Sequence, residues 1–218
     1  MSEEGRIVLI ETARRMNSSG LNRGIAGNLS LRIEDGFLIT PTGMDYGVLE
    51  PADIVLMRMD GSHEGRRAPS SEWRFHRDIL ASRPEIDAVL HAHPMFSTVL
   101  ACQRREIPAF HYMIARAGGS TIRCAPYATF GGEDLSRHAV AALEDRLACL
   151  LANHGLIAIG ATLDGAFRLA LEIEELAEMY WRSLQAGPPV ILDEDEMSRI
   201  VEKFKSYGKQ PSSELTLQ

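Results

Sequence analysis

The chain has 218 residues, 45% of them hydrophobic, which is enough to bury a full core and favours one compact domain over two. Its formal net charge of −7 disfavours nucleic acid or an anionic membrane as the main partner, since either calls for a basic face, and leaves a small ligand as the default. No apolar stretch is long enough to cross a bilayer, and the chain opens on the acidic Met1-Ser2-Glu3-Glu4, so a cytoplasmic protein is expected.

The elements alternate along the chain without repeats or a clear linker. Glu3 to Ser18 carries Ile7, Ile10 and Arg14 at helical spacing, with Gly20 as a stop signal. Leu29 to Ile33 and Phe37 to Thr40 flank Glu34-Asp35-Gly36 and read as a hairpin. Another strand, Ile54 to Met59, ends at Asp60-Gly61. Ser70-Ser71-Glu72 opens a helix running to about Ser82, closed before Pro84, and the next strand ends in His91-Ala92-His93. A short helix follows from Met95 to Cys102. Later come a strand near Thr121 to Cys124, a helix from Glu133 to Arg146, and strand-like runs from Leu150 to Ile159. Leu163 to Gln185 has Phe167, Leu171, Leu176, Met179 and Tyr180 on a helical pattern closed by Gly187-Pro188-Pro189, and a last helix spans Glu194 to Ser206. This mixture suits a mixed sheet covered by helices.

The most specific chemistry lies in three histidines and a glutamate. His91 and His93 end an apolar strand, where residues two apart project from one face. His154 sits at a break between two strand-like runs, in Asn153-His154-Gly155. Taken singly, the pair could be hydrogen-bonded structural histidines and His154 a turn residue. Together with Glu72 they make a donor set for one divalent ion, since catalytic zinc takes three protein ligands plus an open position and borderline ions favour imidazole with a carboxylate.

Three short loops offer donors to an anion: Gly27-Asn28, Thr42-Gly43 and Ser70-Ser71, the last preceding a helix. Each alone reads as a cap or turn, and Arg23-Gly24-Ile25-Ala26-Gly27-Asn28 lacks the spacing of a dinucleotide fingerprint. The only lysines are Lys203, Lys205 and Lys209, so the body of the fold has none for a Schiff base or a Walker loop. A bound metal can polarise a carbonyl instead. Cys102, Cys124 and Cys149 are odd in number and widely spaced, and read as reduced, buried thiols. Trp73 and Phe75 read as core. His76, one turn after Glu72, either orients that carboxylate or packs away from the metal.

These residues resemble the class II aldolase/adducin family nearly end to end. The resemblance is carried by Gly20-Leu21-Asn22 through Gly27-Asn28-Leu29-Ser30, Leu38-Ile39-Thr40-Pro41-Thr42-Gly43, Pro69-Ser70-Ser71-Glu72-Trp73-Arg74-Phe75-His76, Ile107-Pro108-Ala109, His111-Tyr112-Met113-Ile114-Ala115, Cys124 through Gly131, and Glu202-Lys203-Phe204-Lys205 with Tyr207-Gly208. It implies a single three-layer α/β/α domain over residues 1–208 with a mixed, largely antiparallel sheet, followed by a mobile tail over 209–218. It further implies a cyclic homotetramer with active sites between subunits. Zinc, one ion per subunit, would be held by His91, His93 and His154, with Glu72 as a detachable fourth ligand that then serves as acid–base catalyst. Gly27, Asn28, Thr42, Gly43, Ser70 and Ser71 would bind the phosphate of a small phosphorylated sugar. Tyr112, from the adjacent subunit, would handle the proton at the hydroxyl that becomes an aldehyde, for which a phenol of ordinary pKa near 10 needs a polar or cationic neighbour. Phe130 and Tyr207 would shape the aldehyde pocket.

The activity so implied is reversible cleavage of a ketose 1-phosphate to dihydroxyacetone phosphate and a small aldehyde through a metal-stabilised enediolate. L-fuculose, 5-deoxyribulose and 5-(methylthio)ribulose 1-phosphates are all candidate substrates. A sugar-phosphate 4-epimerase of the same superfamily would carry Asp in place of Glu72, so Ser-Ser-Glu-Trp favours the aldolase. The same resemblance admits a methylthioribulose-1-phosphate dehydratase and, outside enzymes, a metal-free, adducin-like interaction domain. Intact His91, His93, His154 and Glu72 speak against the interaction domain.

Overall fold

The computed structural model describes residues 3–207, so the tail expected over 209–218 lies outside the described residues. Strand β1 (Asn28–Ile33) turns through Glu34-Asp35 into β2 (Gly36–Ile39), with Ile33 paired to Gly36, as the turn sequence predicts. A Cβ on Gly36 would lie 2.1 Å from the Met57 carbonyl oxygen, so only glycine lets β2 lie against β3 (Val55–Met57). β3 is shorter than the Ile54 to Met59 expectation. It pairs with a two-residue strand β4 (His63–Glu64) that hydrophobic periodicity could not reveal because both of its residues are exposed.

The central strands are β5 (Ala88–Ala92) and β8 (Gly155–Gly160), with β7 (Ala148–Leu151) and β6 (Cys124–Ala125) completing one eight-stranded sheet. Its order is β4-β3-β2-β1-β5-β8-β7-β6, and every neighbouring pair is antiparallel except β6 with β7. The mixed, largely antiparallel sheet expected from the sequence is therefore present.

Alternation along the strands sorts side chains between two helical layers. Leu29 of β1, Ala88, Leu90 and Ala92 of β5, and Leu156 and Ala158 of β8 join one apolar cluster with α1 (Glu3–Ser18), α3 (Met95–Cys102), α5 (Leu163–Ala186) and α6 (Glu194–Phe204). Val89, Ile157 and Ile159 join a second cluster with α2 (Trp73–Ser82) and α4 (Glu133–Ala142). Burying an aliphatic side chain of this size stabilises by about 1.5–3 kcal/mol. Both faces of the sheet are filled, which gives the three layers. Among the described residues no helix is long and apolar enough to cross a membrane.

Several boundaries move for identifiable reasons. Helix α2 starts at Trp73 rather than Ser70, because Glu72 itself holds the cap position and the Ser70 hydroxyl accepts from the Glu72 N–H at 3.3 Å. Helix α4 ends at Ala142 rather than Arg146, since Asp145 at φ 54° is left-handed and turns the chain into β7. Cys149 is buried and Cys124 half-buried, but Cys102 is exposed, against the expectation of three buried thiols. Phe75 is buried as expected; Trp73 is only partly so, with the Arg74 and Arg77 guanidiniums lying over its ring.

Two anchors steady the segments that flank β1 and β5. Tyr46 is buried and donates to the Gly27 carbonyl at 2.7 Å, fixing the loop before β1. Glu174 of α5 accepts from the backbone N–H groups of Phe96 and Ser97 at 2.7 and 2.8 Å and from the Ser97 hydroxyl at 2.7 Å, satisfying free donors in the first turn of α3.

Candidate active site

The odd-numbered face of β5 carries Val89 and His91 toward the α2 layer, and His93 follows just past the strand end. On the neighbouring strand β1, Asn28 pairs with His91 and Ser30 with Val89, so two polar side chains share that face. Glu72 comes from the start of α2 above them. His154 comes from the turn between β7 and β8, where Asn153 adopts φ 55° and its side-chain oxygen accepts from Arg104 at 3.0 Å. Gly155, at the head of β8, lies beneath the His93 ring: a Cβ there would fall 2.7 Å from His93 Cδ2 and 2.4 Å from the Ala92 carbonyl oxygen.

The three imidazoles converge, with ring centroids 4.7 to 4.9 Å apart and one nitrogen from each within 4.8 Å of the others. His91 Nδ1 faces the Leu156 carbonyl at 2.9 Å, an acceptor only, so Nδ1 carries the hydrogen and Nε2 turns a lone pair toward His93 Nε2, also 2.9 Å away. Glu72 Oε2 lies 3.2 Å from His91 Nε2 and Oε1 lies 3.3 Å from His154 Nε2. Oε1 is buried and has no hydrogen-bond partner. Facing lone pairs beside a buried, unpartnered carboxylate oxygen fit a shared divalent cation, which would satisfy all of them at once.

Protonation preferences agree with that fit. Burial, reinforced by His91, pushes His93 and His154 down to about 4, so both are neutral ligands at neutral pH. Burial pushes the Glu72 carboxyl up, while the charged forms of His91 and His154, with the Asn28 amide, hold it well below the ordinary carboxylate range; with neutral imidazoles a bound cation would take over that role. His76 is wholly buried, and that burial together with His91 takes it down to about 3.

Above the cluster opens a cavity of about 350 Å³. Gly27, Asn28, Thr42, Gly43, Ser70, Ser71, Glu72, His93, Phe130 and His154 all line it, so the three loops do meet the histidines. Gly27 at φ 78° and Gly131 at φ 73° are both positions where a Cβ would lie 2.7 Å from a backbone oxygen, of His91 and Ser71 respectively. Sequence reasoning did not pick out Ile25, Tyr127, Ala128 or Asn153, which also line the cavity. Asn153 had a usable signal, its place beside His154 in a turn; the other three have none.

Tyr112 and Tyr207 are not in this cavity. Both are exposed and flank Phe204, with ring centroids 6.4 and 5.4 Å from it, around a separate cavity of about 310 Å³. Tyr112 opens a 3-10 turn (Tyr112–Ala117) that no periodic pattern announces, capped by the His111 imidazole and ended by Gly118 at φ 91°. The cavity at the histidines thus gathers the phosphate loops and candidate metal ligands but neither tyrosine of the same chain.

A model of the class II aldolase and adducin N-terminal domain matches residues 8–181. The 5-methylthioribulose-1-phosphate/5-deoxyribulose-1-phosphate aldolase of Rhodospirillum rubrum is 60% identical over 200 residues, covering 92% of this chain and 90% of the relative. The L-fuculose phosphate aldolase of Escherichia coli strain K12 is 49% identical over 201 residues, covering 92% and 94%. A solved structure of an L-fuculose 1-phosphate aldolase superposes with a TM-score of 0.91 at 41% identity, covering 94% of this chain and 98% of that one.

Proposed function

The chain belongs to the class II aldolase and adducin family and is an aldehyde-lyase, and from that premise we propose that it reversibly cleaves a ketose 1-phosphate to dihydroxyacetone phosphate and a small aldehyde. The observation that carries this reading is the meeting of His91, His93, His154 and Glu72 with three donor-rich loops around one cavity. We assign zinc as the ion, held by the three imidazoles with Glu72 as the displaceable fourth ligand. When bound, it supplies the positive charge that polarises the substrate carbonyl.

The chain's own groups do the rest. Asn28, Thr42, Gly43, Ser70 and Ser71 receive the phosphate, with the Gly27 turn bringing the backbone close. Arginine and lysine are absent from the lining among the described residues, so neutral donors and the amino end of α2 carry that charge. Glu72, which substrate would displace from the ion, is the group to deliver the proton that C3 needs after the C3–C4 bond breaks. In the synthetic direction the carboxylate removes that proton; in cleavage solvent replaces the proton it gives to C3, while the one released from the C4 hydroxyl leaves through Tyr112. Tyr112 of the partner subunit carries the proton of the C4 hydroxyl as that group becomes the aldehyde. The position of Tyr112 outside its own chain's cavity supports sites shared between subunits, and a cyclic homotetramer is the assembly we propose for them.

For the aldehyde half we favour 5-(methylthio)ribulose and 5-deoxyribulose 1-phosphates. The Rhodospirillum rubrum relative that carries those substrates in its name is more similar, 60% against 49%, and Ile25, Ala128 and Phe130 give the cavity an apolar wall. L-fuculose 1-phosphate, whose aldehyde bears an extra hydroxyl, is the second reading. Retro-aldol kcat/KM measured on all three with the zinc-loaded protein tests both, since specificity is a ratio of these values. A higher value for L-fuculose 1-phosphate would reverse the substrate order, and no cleavage of any would overturn the activity.

A further inference from the structure

Beneath the cavity runs a buried chain of polar side chains that ends on Glu72. Ser30 Oγ lies 2.7 Å from His76 Nδ1, His76 Nε2 lies 2.5 Å from Asn28 Oδ1, and Asn28 Nδ2 lies 3.0 Å from Glu72 Oε2. All four residues are buried, with Ser30 and His76 wholly inaccessible. They come from different elements: Ser30 and Asn28 from one face of β1, His76 from the middle of α2, and Glu72 from its cap.

The direction of every bond is set from the Glu72 end. An ionised carboxylate can only accept, so Asn28 must turn its NH2 group toward it, which leaves Asn28 Oδ1 facing His76. Oδ1 can only accept, so His76 Nε2 must carry the hydrogen. Its Nδ1 then holds a lone pair and accepts from the Ser30 hydroxyl. With the opposite tautomer, Nε2 would meet Asn28 Oδ1 acceptor to acceptor, and only a flipped amide would relieve that. The flip would set Asn28 Oδ1 against Glu72 Oε2, two acceptors opposed.

The two carboxylate oxygens are therefore unequal: Oε2 is tethered by Asn28, and Oε1 has no hydrogen-bond partner. We propose that His76 is a positioning residue that locks the Asn28 amide by its Nε2–H tautomer, tethering Glu72 through Oε2 so that Oε1 is the oxygen that exchanges the proton with substrate. This rests on the reading of Glu72 as the acid–base group, and it adds how that carboxylate keeps its aim once substrate displaces it from the metal. Asn28 thus has a second duty besides phosphate binding, and Ser30, two residues along β1 on the same face, is the far anchor.

The test combines a spectroscopic and a kinetic arm on the full-length, zinc-loaded protein. The 15N spectrum of histidine-labelled protein, with His76 assigned by the signal lost in His76→Gln, should show protonated Nε2 and unprotonated Nδ1. An Nδ1–H tautomer would overturn the proposal whatever the enzyme's activity. His76→Phe keeps a ring against Phe75, whose centroid is 4.6 Å from that of His76, but removes both nitrogens. It should lower kcat at least tenfold with zinc content unchanged. His76→Gln, which can still present an amide N–H to Asn28, should recover most of that loss. In an Asn28→Ala background His76→Phe should have no further effect, because the residue acts through that amide. Additive losses in the double variant, or full turnover by His76→Phe, would refute the relay. If His76→Phe does not fold, the tautomer and the glutamine variant decide. Wild-type protein that cleaves none of the three ketose 1-phosphates would instead sink the assignment of activity, leaving the tautomer to judge the hydrogen-bond chain by itself.

Discussion

Replacing Gly155 by alanine perturbs the candidate metal centre without touching a ligand. The added Cβ would stand 2.7 Å from His93 Cδ2 and 2.4 Å from the Ala92 carbonyl oxygen. Carbon contacts settle at about 3.5–4.0 Å, so the imidazole and the end of β5 must retreat by about 1 Å. Gly155 is not among the positive-φ glycines, so alanine brings no backbone strain of its own and the effect is steric. Overpacking of this kind costs about 1–3 kcal/mol. Metal–ligand distances tolerate only about 0.2 Å, so a displaced His93 should weaken zinc binding about 10–100-fold, by analogy with disturbed ligand supports. That is about 1.4–2.8 kcal/mol of binding free energy. Chelator competition measures the affinity. Melting with zinc and with excess chelator separates the two terms: the chelated variant melts lower than chelated wild type, and the rise on adding zinc shrinks. A variant that loses stability yet binds zinc with wild-type affinity would refute the argument that Gly155 seats His93.

Glu72→Gln should keep inorganic phosphate binding while losing about 10²–10⁴ in turnover, and undiminished kcat would remove Glu72 from the chemistry. Tyr112→Phe should also be nearly inactive. Coexpressing it with Glu72→Gln should restore activity at about a quarter of the sites, those pairing the intact residues of two neighbouring subunits, whereas no recovery would place both groups in one chain. Beside the Arg66-Arg67 segment that leads into Ser70, Asp53 is buried. Burial raises its pKa, but Arg67, the Glu50 N–H and Arg66 outweigh this, holding the carboxyl below its usual range. Since the folded pKa lies below the unfolded one, the stabilisation is present at neutral pH. It fades as pH drops from about 4 through the folded value. Urea midpoints followed with pH should therefore fall less steeply at the acid end in Asp53→Asn than in wild type.

The chemistry was more legible in the sequence than the geometry. His91 and His93 could be placed together because a strand has a two-residue period, and their rings do meet, with centroids 4.7 Å apart, although His93 stands just past the end of β5. The helices α1, α3 and α5 and the first hairpin follow from apolar spacing and turn residues, which act locally. The strand β4 and the Tyr112–Ala117 turn escaped notice because their pairings and caps are made by residues without a periodic pattern. His76 was ambiguous for a different reason. Its partners Ser30 and Asn28 lie 46 and 48 residues away, and only folding of β1 against α2 brings them to it. That Tyr112 would stand apart from its own chain's histidines could not be read from spacing and came from likeness to a family, whereas Tyr207, expected at the aldehyde pocket with Phe130, lies outside that cavity.

The cap that Glu174 places on α3 has a consequence in time. His93 and the first turn of α3 are held in register by a carboxylate 78 residues further along, on a helix that closes only at Ala186. A ribosome-bound chain that has already exposed Glu72, His91, His93 and His154 still lacks this anchor. The first turn of α3, which follows directly on His93, is therefore capped only after α5 has docked.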